Sequence, residues 1–600
     1  MHCLAEGVCI LSEKMTNKAR YLITTADERT WKFDRPVIFL GEWCRTYERK
    51  HVWQGMDAIV AAPYGLDQDS KDSDHIDVQE LESKLFPVLC DTLNRHHGIQ
   101  HGERFWRIIL GHWLARYVSI ILNRVKTLKQ CLQVHQVSGI TTYGDDYYTL
   151  ATQDSYSFIF ASNDERWNVA LTARILSLLE CTNFPVEVIT EDRTSAGFFW
   201  NRNNVSTLKW GYSMAGKLAS YLVRDSDALI IHSYLPKKEE IKLQLVLGQC
   251  PQLWISPKLE VLDKYNQVLR KRLAKQVVIK SDNTMENILF SMVFELLPAC
   301  YLESFDSLNK LVKEQPWPKE PKFIFTSNAF DTNEVFKIYT AQKVEEGIKY
   351  FVGQHGNYGA SRNHANPSNE EITADKFLTW GWVDGLPQHT ATFMFKTVNG
   401  KRGCYNSQGG LLLIELSLQH RMYTSDDTAE FNTYFEDQQK FINKLTSAPR
   451  RKLVVRLHAG YRLMKWGEEK RWQAFDPLLK IDTGNTNICE LVGKSRLVVH
   501  SYDSTGILET LSQNIPTLAF WQNGFDHLRD SAKPQYQLLV DAGIVHLTPE
   551  SVAKKVNEVW DDVDGWWGQS IIQDARKQFC SRYARQSENP IRELKQILMK

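Results

Sequence analysis

Residues 498–521 read VVHSYDSTGILETLSQNIPTLAFW. An apolar run ends at His500, and a polar bend of Ser501, Asp503, Ser504 and Thr505 follows. A helical period then begins, and after Pro516 a second apolar run leads to Trp521. Strand, bend, helix, strand is the pattern of a βαβ unit in a parallel sheet. Working outward, the alternation recurs. Strands are predicted at 411–416 and 453–457, and helices at 427–445, 488–492 and 549–560. The last of these opens on Pro549, where a proline suits a helix start. Upstream, strands are predicted at 36–40, 228–232, 252–255, 322–326, 349–352 and 377–380. Helical patterns at 77–95, 103–128, 168–180, 207–224, 237–247, 258–275 and 333–342 lie between them.

A chain of 600 residues exceeds what one hydrophobic core holds. The expected fold is α/β, with two Rossmann-like doubly wound domains and helical additions in the N-terminal half. The domains are expected at 1–400 and 405–575, with a terminal helix over 576–600. In such folds ligands bind outside the carboxyl ends of the strands.

Composition narrows the function. A net charge of +1 argues against a general nucleic-acid binder. The 11 cysteines are scattered and form no C-x-x-C pair, which fits a reducing, cytoplasmic compartment and no zinc site. Residues 1–18 lack the pattern of a signal peptide. The apolar segment 106–122 carries Arg107, His112 and Arg116, so it reads as a core helix. Membrane contact is therefore expected to be peripheral at most. Asp145–Asp146 and Asp562–Asp564 read as solvated acids, so neither a metal nor a cofactor is expected.

Four stretches could carry chemistry. In the bend, Ser501, Asp503, Ser504 and Thr505 precede a helix whose free amides and dipole suit an anion. Glu509, one turn in, could accept from ribose hydroxyls; ordinary helix capping is the competing reading. Arg456 and His458 end the strand at 453–457 and could meet donor phosphates. GQHGNYG (353–359) follows a strand, and its His355 could act as general base. Gln354, Gly356 and Tyr358 of that loop are assigned to the acceptor side. GEWCR (41–45) supplies Glu42, a second candidate base, and Arg45, which could pair with it or hold an anionic acceptor.

FLGEWCRTY, GQHGNYG, DKFLTWGW, YDSTGILETLSQNIPTLAFW and the later DDVDGWW and FCSRYA together resemble bacterial transferases of O-antigen and surface-polysaccharide gene clusters. The resemblance spans nearly the whole chain. It implies a GT-B architecture with an N-terminal acceptor side, a C-terminal donor domain and a last helix crossing back. A looser similarity links the chain to CMP-sugar enzymes of the sialyl and Kdo type, whose H-P motif would fall at His458. Here Ala459 replaces the proline, which leaves the donor nucleotide open.

The expected activity is sugar transfer from a nucleotide-activated donor to a glycan or lipid-linked glycan acceptor. The donor would sit on Arg456, His458 and the 501–509 bend, with Glu42 or His355 as base. The alternatives are a nucleotide-sugar epimerase, a transferase of a non-sugar group, and a non-catalytic assembly protein.

Overall fold

The computed structural model describes residues 18–144, 149–179, 183–189, 222–252, 265–277, 281–357, 359–361, 367–400, 404–418, 431–521 and 523–600. The expected elements at 207–224, 252–255 and 258–275 fall wholly or partly outside these residues, as does Asp145–Asp146. The chain divides into two compact units. The first comprises Met1–Tyr64, Arg124–Tyr148 and Glu165–Thr194; the second comprises Gly65–Asn123, Thr149–Asp164 and Ser195–Lys600.

The first unit is built on one parallel sheet. Its strands are β1 (Arg20–Ile23), β2 (Val37–Phe39), β3 (Ala58–Val60), β4 (Val137–Tyr143) and β5 (Val186–Ile189). They run in the order β3-β2-β1-β4-β5. Tyr21, Leu22, Ile23, Val37, Ile38 and Phe39 are all buried, as central parallel strands require.

The second unit holds two parallel sheets. One contains β6 (Leu229–Ile230), β7 (Ile324–Thr326), β8 (Tyr350–Gly353), β9 (Lys376–Thr379) and β10 (His389–Ala391), in sequential order. The other contains β11 (Gly410–Ile414), β12 (Leu453–Arg456), β13 (Lys480–Asp482), β14 (Ser495–His500), β15 (Thr517–Phe520) and β16 (Val545–His546). Its order is β13-β12-β11-β14-β15-β16.

The α/β class therefore stands, and two of the three sheets, the first and the third, have doubly wound order. The β6–β10 sheet is an addition that winds in one direction only. Residues 1–400, expected to form one sheet-bearing domain, carry two sheets. The strands missing from the sequence reading are short or partly exposed: β3 is half-buried throughout and three of the four residues of β5 are exposed.

The third sheet reverses strand order between β11 and β14. That reversal opens a crevice at the strands' carboxyl ends. The bend after His500 lies on it. Beyond the third sheet, the helix Pro590–Leu598 packs on the second sheet: Leu594 and Leu598 join a buried cluster with Phe325, Phe351, Leu378 and Phe395. Among the described residues one helix, Glu103–Val134, is long and apolar enough to cross a membrane, and 78% of its apolar window is buried in the protein.

Candidate functional site

The bend at the β11/β14 reversal is built by its own hydrogen bonds. The Ser501 amide donates to the Ile414 carbonyl at 3.2 Å, and its hydroxyl donates to the same oxygen at 3.0 Å. The Ser501 hydroxyl also meets that of Tyr434 at 2.7 Å. Ser501 thus ties the ends of two strands together, which corrects its assignment to the donor. Asp503 is corrected too. Its carboxylate accepts from Asn357 Nδ2 at 2.7 Å, Tyr536 Oη at 2.8 Å and His527 Nε2 at 3.0 Å.

What the bend leaves open is the start of the helix Thr505–Ser512. Ser504 sits at its N-cap in extended backbone, yet its hydroxyl caps no helix amide. Among the described residues the Thr505 and Gly506 amides have no protein acceptor. Both residues are half-buried rather than sealed. Unsatisfied amides at a helix start carry partial positive charge and suit an anion. Beneath them lies His500, buried and held down to about 3 by that burial. A Cβ at Gly506 would come within 2.8 Å of the His500 ring, so only glycine lets the helix begin so close.

The GQHGNYG loop of the second sheet meets this helix start. The Asn357 amide donates to Thr505 Oγ1 at 3.1 Å. A Cβ at Gly356 would lie 3.3 Å from the same oxygen. Gln354 shapes the loop from within: its Oε1 accepts from the Trp380 amide and Trp382 Nε1, each at 2.8 Å, and its Nε2 donates to the Gly356 carbonyl at 2.8 Å. It is buried and spent on the turn, so it does not face an acceptor. Tyr358 lies outside the described residues.

His355 is half-buried and meets Phe330 edge-on, with ring centroids 5.6 Å apart. Burial lowers its imidazole to about 4; nearby Asp331 opposes that shift and Lys396 adds to it. The ring is therefore neutral at physiological pH and able to accept a proton. Burial alone would raise the Asp331 carboxyl, but Arg116 at 2.6 Å, with His112 and Lys337, outweighs it and holds the acid at about 2.

Further links join the loops of these two sheets. Lys396 pairs with Glu509 Oε1 at 3.2 Å. Arg529 donates to the Ser361 carbonyl at 3.0 Å and pairs with Asp384. Asn357, Asp331, Lys396, His527, Arg529 and Tyr536 were not identified in the sequence. Only Asn357 carried a signal, since it sits inside the glycine-rich loop.

Arg456 and His458 stand differently. Arg456 pairs with Asp482 at 3.1 Å and donates to the carbonyls of Leu457, Gly484 and Thr486. The guanidinium thus holds the loop after β13. His458 is exposed; its Nδ1 accepts from the Gly460 amide at 3.1 Å. Partial burial, then the Arg456 charge, lowers its imidazole. Among the described residues, no hydrogen bond or ion pair joins His458 to the 504–506 bend.

Glu42 and Arg45 belong to the first unit, whereas His355 and the 501–509 residues belong to the second. They form a two-pronged ion pair, at 2.5 and 3.2 Å, on the short helix Glu42–Cys44. Arg45 also stacks over Trp53, 5.0 Å from the ring centre. Asp562 caps the Gly565 amide and Asp564 accepts from Tyr405, so both acids have structural partners.

A family model described as LIC12162 family transferase matches residues 20–598. The chain belongs to that family. It is accordingly a transferase. No curated protein matches it. The solved structures that resemble it include the following three. A candidate UDP-N-acetylglucosamine 2-epimerase from Listeria monocytogenes is 11% identical, covers 59% of this chain and 95% of its own, and has a TM-score of 0.31. S. aureus MnaA, in a co-structure with UDP, is 12% identical over 59% of this transferase and 94% of its own chain, at a TM-score of 0.29. The spinosyn rhamnosyltransferase SpnG, complexed with spinosyn aglycone, is 11% identical over 55% and 80%, at 0.28.

Proposed function

We propose that this transferase moves a sugar from a nucleotide-activated donor to a glycan hydroxyl during assembly of a surface polysaccharide. One observation carries the reading. The helix Thr505–Ser512 begins at the strand-order reversal with its first amides free, facing a loop that bears a neutral histidine. The donor phosphates sit on the Thr505 and Gly506 amides and the Ser504 hydroxyl. As the glycosidic bond to the nucleotide breaks, negative charge grows on the leaving phosphate. Fixed amide dipoles stabilise that charge without reorganising. His355 takes the proton from the acceptor hydroxyl. The reading needs no metal, because the helix start and Lys396 supply positive potential. A CMP-linked donor is the first to test, and the reaction belongs at the cytoplasmic face of the inner membrane.

Calorimetry with CMP, UDP, GDP and dTDP tests the donor site. One of the four should bind, and Ser504→Ala combined with Thr505→Ala should weaken it by about tenfold or more while leaving the melting temperature within a few degrees. Undiminished affinity in a folded double variant would refute the reading.

A further inference from the structure

The loop after β15 brings a second histidine to the donor-side bend. β15 lies next to β14 in the sheet, so the loop beyond its carboxyl end borders residues 501–506. Trp521 fixes that loop, donating from Nε1 to the Gly524 carbonyl at 2.8 Å. The His527 ring meets the Trp521 indole edge-on, with centroids 5.6 Å apart. His527 Nε2 lies 3.0 Å from Asp503 Oδ2. The same carboxylate takes Tyr536 Oη on Oδ2 and Asn357 Nδ2 on Oδ1, and the Asn357 amide donates to Thr505 Oγ1. One carboxylate thus links the imidazole to the helix start.

An ionised carboxylate only accepts, so Nε2 is the nitrogen that carries a proton toward Asp503. Nδ1 remains, and among the described residues it has no protein partner. The His527 side chain is 16% exposed, and Nδ1 is not sealed in the protein. An imidazole pinned at one nitrogen by a buried carboxylate and open at the other is held ready for a ligand. The bend adds a buried hydroxyl. Ser504 is 6% exposed, and its Oγ, near the Tyr502 hydroxyl, makes no well-formed hydrogen bond among the described residues. A Cβ at Gly506 would lie 3.2 Å from that oxygen, which places it beside the helix start.

On the reading that donor phosphates occupy this helix start, we propose that His527 is a further phosphate contact, its Nδ1–H donating to a leaving-group oxygen while Asp503 positions the ring. A ring that donates from both nitrogens carries a positive charge. That charge lies between the buried carboxylate and the phosphate, where charge-assisted hydrogen bonds are short and strong. As the bond from the sugar to the phosphate oxygen breaks, its electron pair stays on that oxygen. The imidazolium then joins the Thr505 and Gly506 amides in holding the new charge. His355, on the glycine-rich loop, is left to take the acceptor's proton.

Calorimetry on the full chain with inorganic pyrophosphate, which carries the donor's anionic chemistry without a nucleoside, tests this. Wild type should bind it. In His527→Gln the side-chain amide nitrogen falls where Nε2 lies, so the Asp503 bond persists while nothing donates from the Nδ1 position. That variant should bind pyrophosphate about tenfold more weakly and melt like wild type. His527→Asn places its nitrogen where Nδ1 lies and gives up Asp503, so it should retain more of the affinity. A role confined to supporting Asp503 predicts the reverse order, with the glutamine variant harmless and the asparagine variant losing both melting temperature and affinity. That order, or no pyrophosphate binding by folded wild type, would overturn the proposal. Pyrophosphate binding that His527→Gln weakens, in a chain that binds none of the four nucleotides, would uphold the histidine and sink the nucleotide donor instead.

Discussion

At Gly506 a missing side chain decides whether the donor-side bend can exist. The nearest atom to an added Cβ is a ring carbon of buried His500, which has little room to move. Gly506→Ala should therefore cost about 1–3 kcal/mol by denaturant unfolding, as overpacking does. An unchanged unfolding midpoint would show that the ring yields. Asp503 is the converse case, a charge that the bend cannot lose cheaply. Removing it strands donors from Asn357, Tyr536 and His527. Asp503→Ala should cost about 1–3 kcal/mol or more, and Asp503→Asn less, because the amide retains one acceptor oxygen. Equal losses in the two variants, measured by thermal melting, would count against a hydrogen-bonding role. These residues also mark how far sequence reading reaches. DSTG and GQHGNYG announce turns by composition, but Asn357 and Asp503 are 146 positions apart, and no local pattern pairs them.

Elements show the same division. β11, β14 and β15 read as strands because their apolar runs are buried on both faces, and β12 because its apolar run alternates buried and half-buried residues. β13 and β16 sit at the sheet's edges and have only three and two residues, too few for a period to emerge. β1 opens on a charged arginine and β4 carries a central glycine, so neither resembles a buried strand in isolation. Several buried or half-buried histidines lie at or near strand and helix ends. His355 and His546 are lowered to about 4, and His500 to about 3, by burial first of all. Unfolding releases these rings to bind protons at their ordinary value of 6.5. The unfolded chain thus binds more protons between pH 6.5 and about 4, so stability must fall as pH falls through that window. Urea unfolding between pH 7 and 4.5 should show this loss, and His546→Asn should reduce its slope. An identical slope in the variant would assign the acid sensitivity elsewhere.

On the scale of the whole molecule, the chain's end belongs to the middle of its sequence. Leu594 and Leu598 are buried against strands more than 200 residues earlier, and Lys595 donates to the Val246 carbonyl at 2.8 Å. Deleting 590–600 removes both leucines, each worth about 1.5–3 kcal/mol of burial, and exposes the apolar surface they cover. A truncated chain should melt markedly lower, and retention of the wild-type melting temperature would show that the helix is dispensable. From the amino acids alone came the α/β class, the alternation of the third sheet, and two turns rich in glycine and hydroxyls. Those features are local: apolar periodicity and backbone freedom act over a few neighbours. Only tertiary structure decided that the described residues form three sheets and that Asp503, Arg456 and Gln354 spend their hydrogen bonds within the protein. Each of those outcomes depends on which distant groups compete for the same charge or hydrogen bond, and that competition is settled only when the chain is folded.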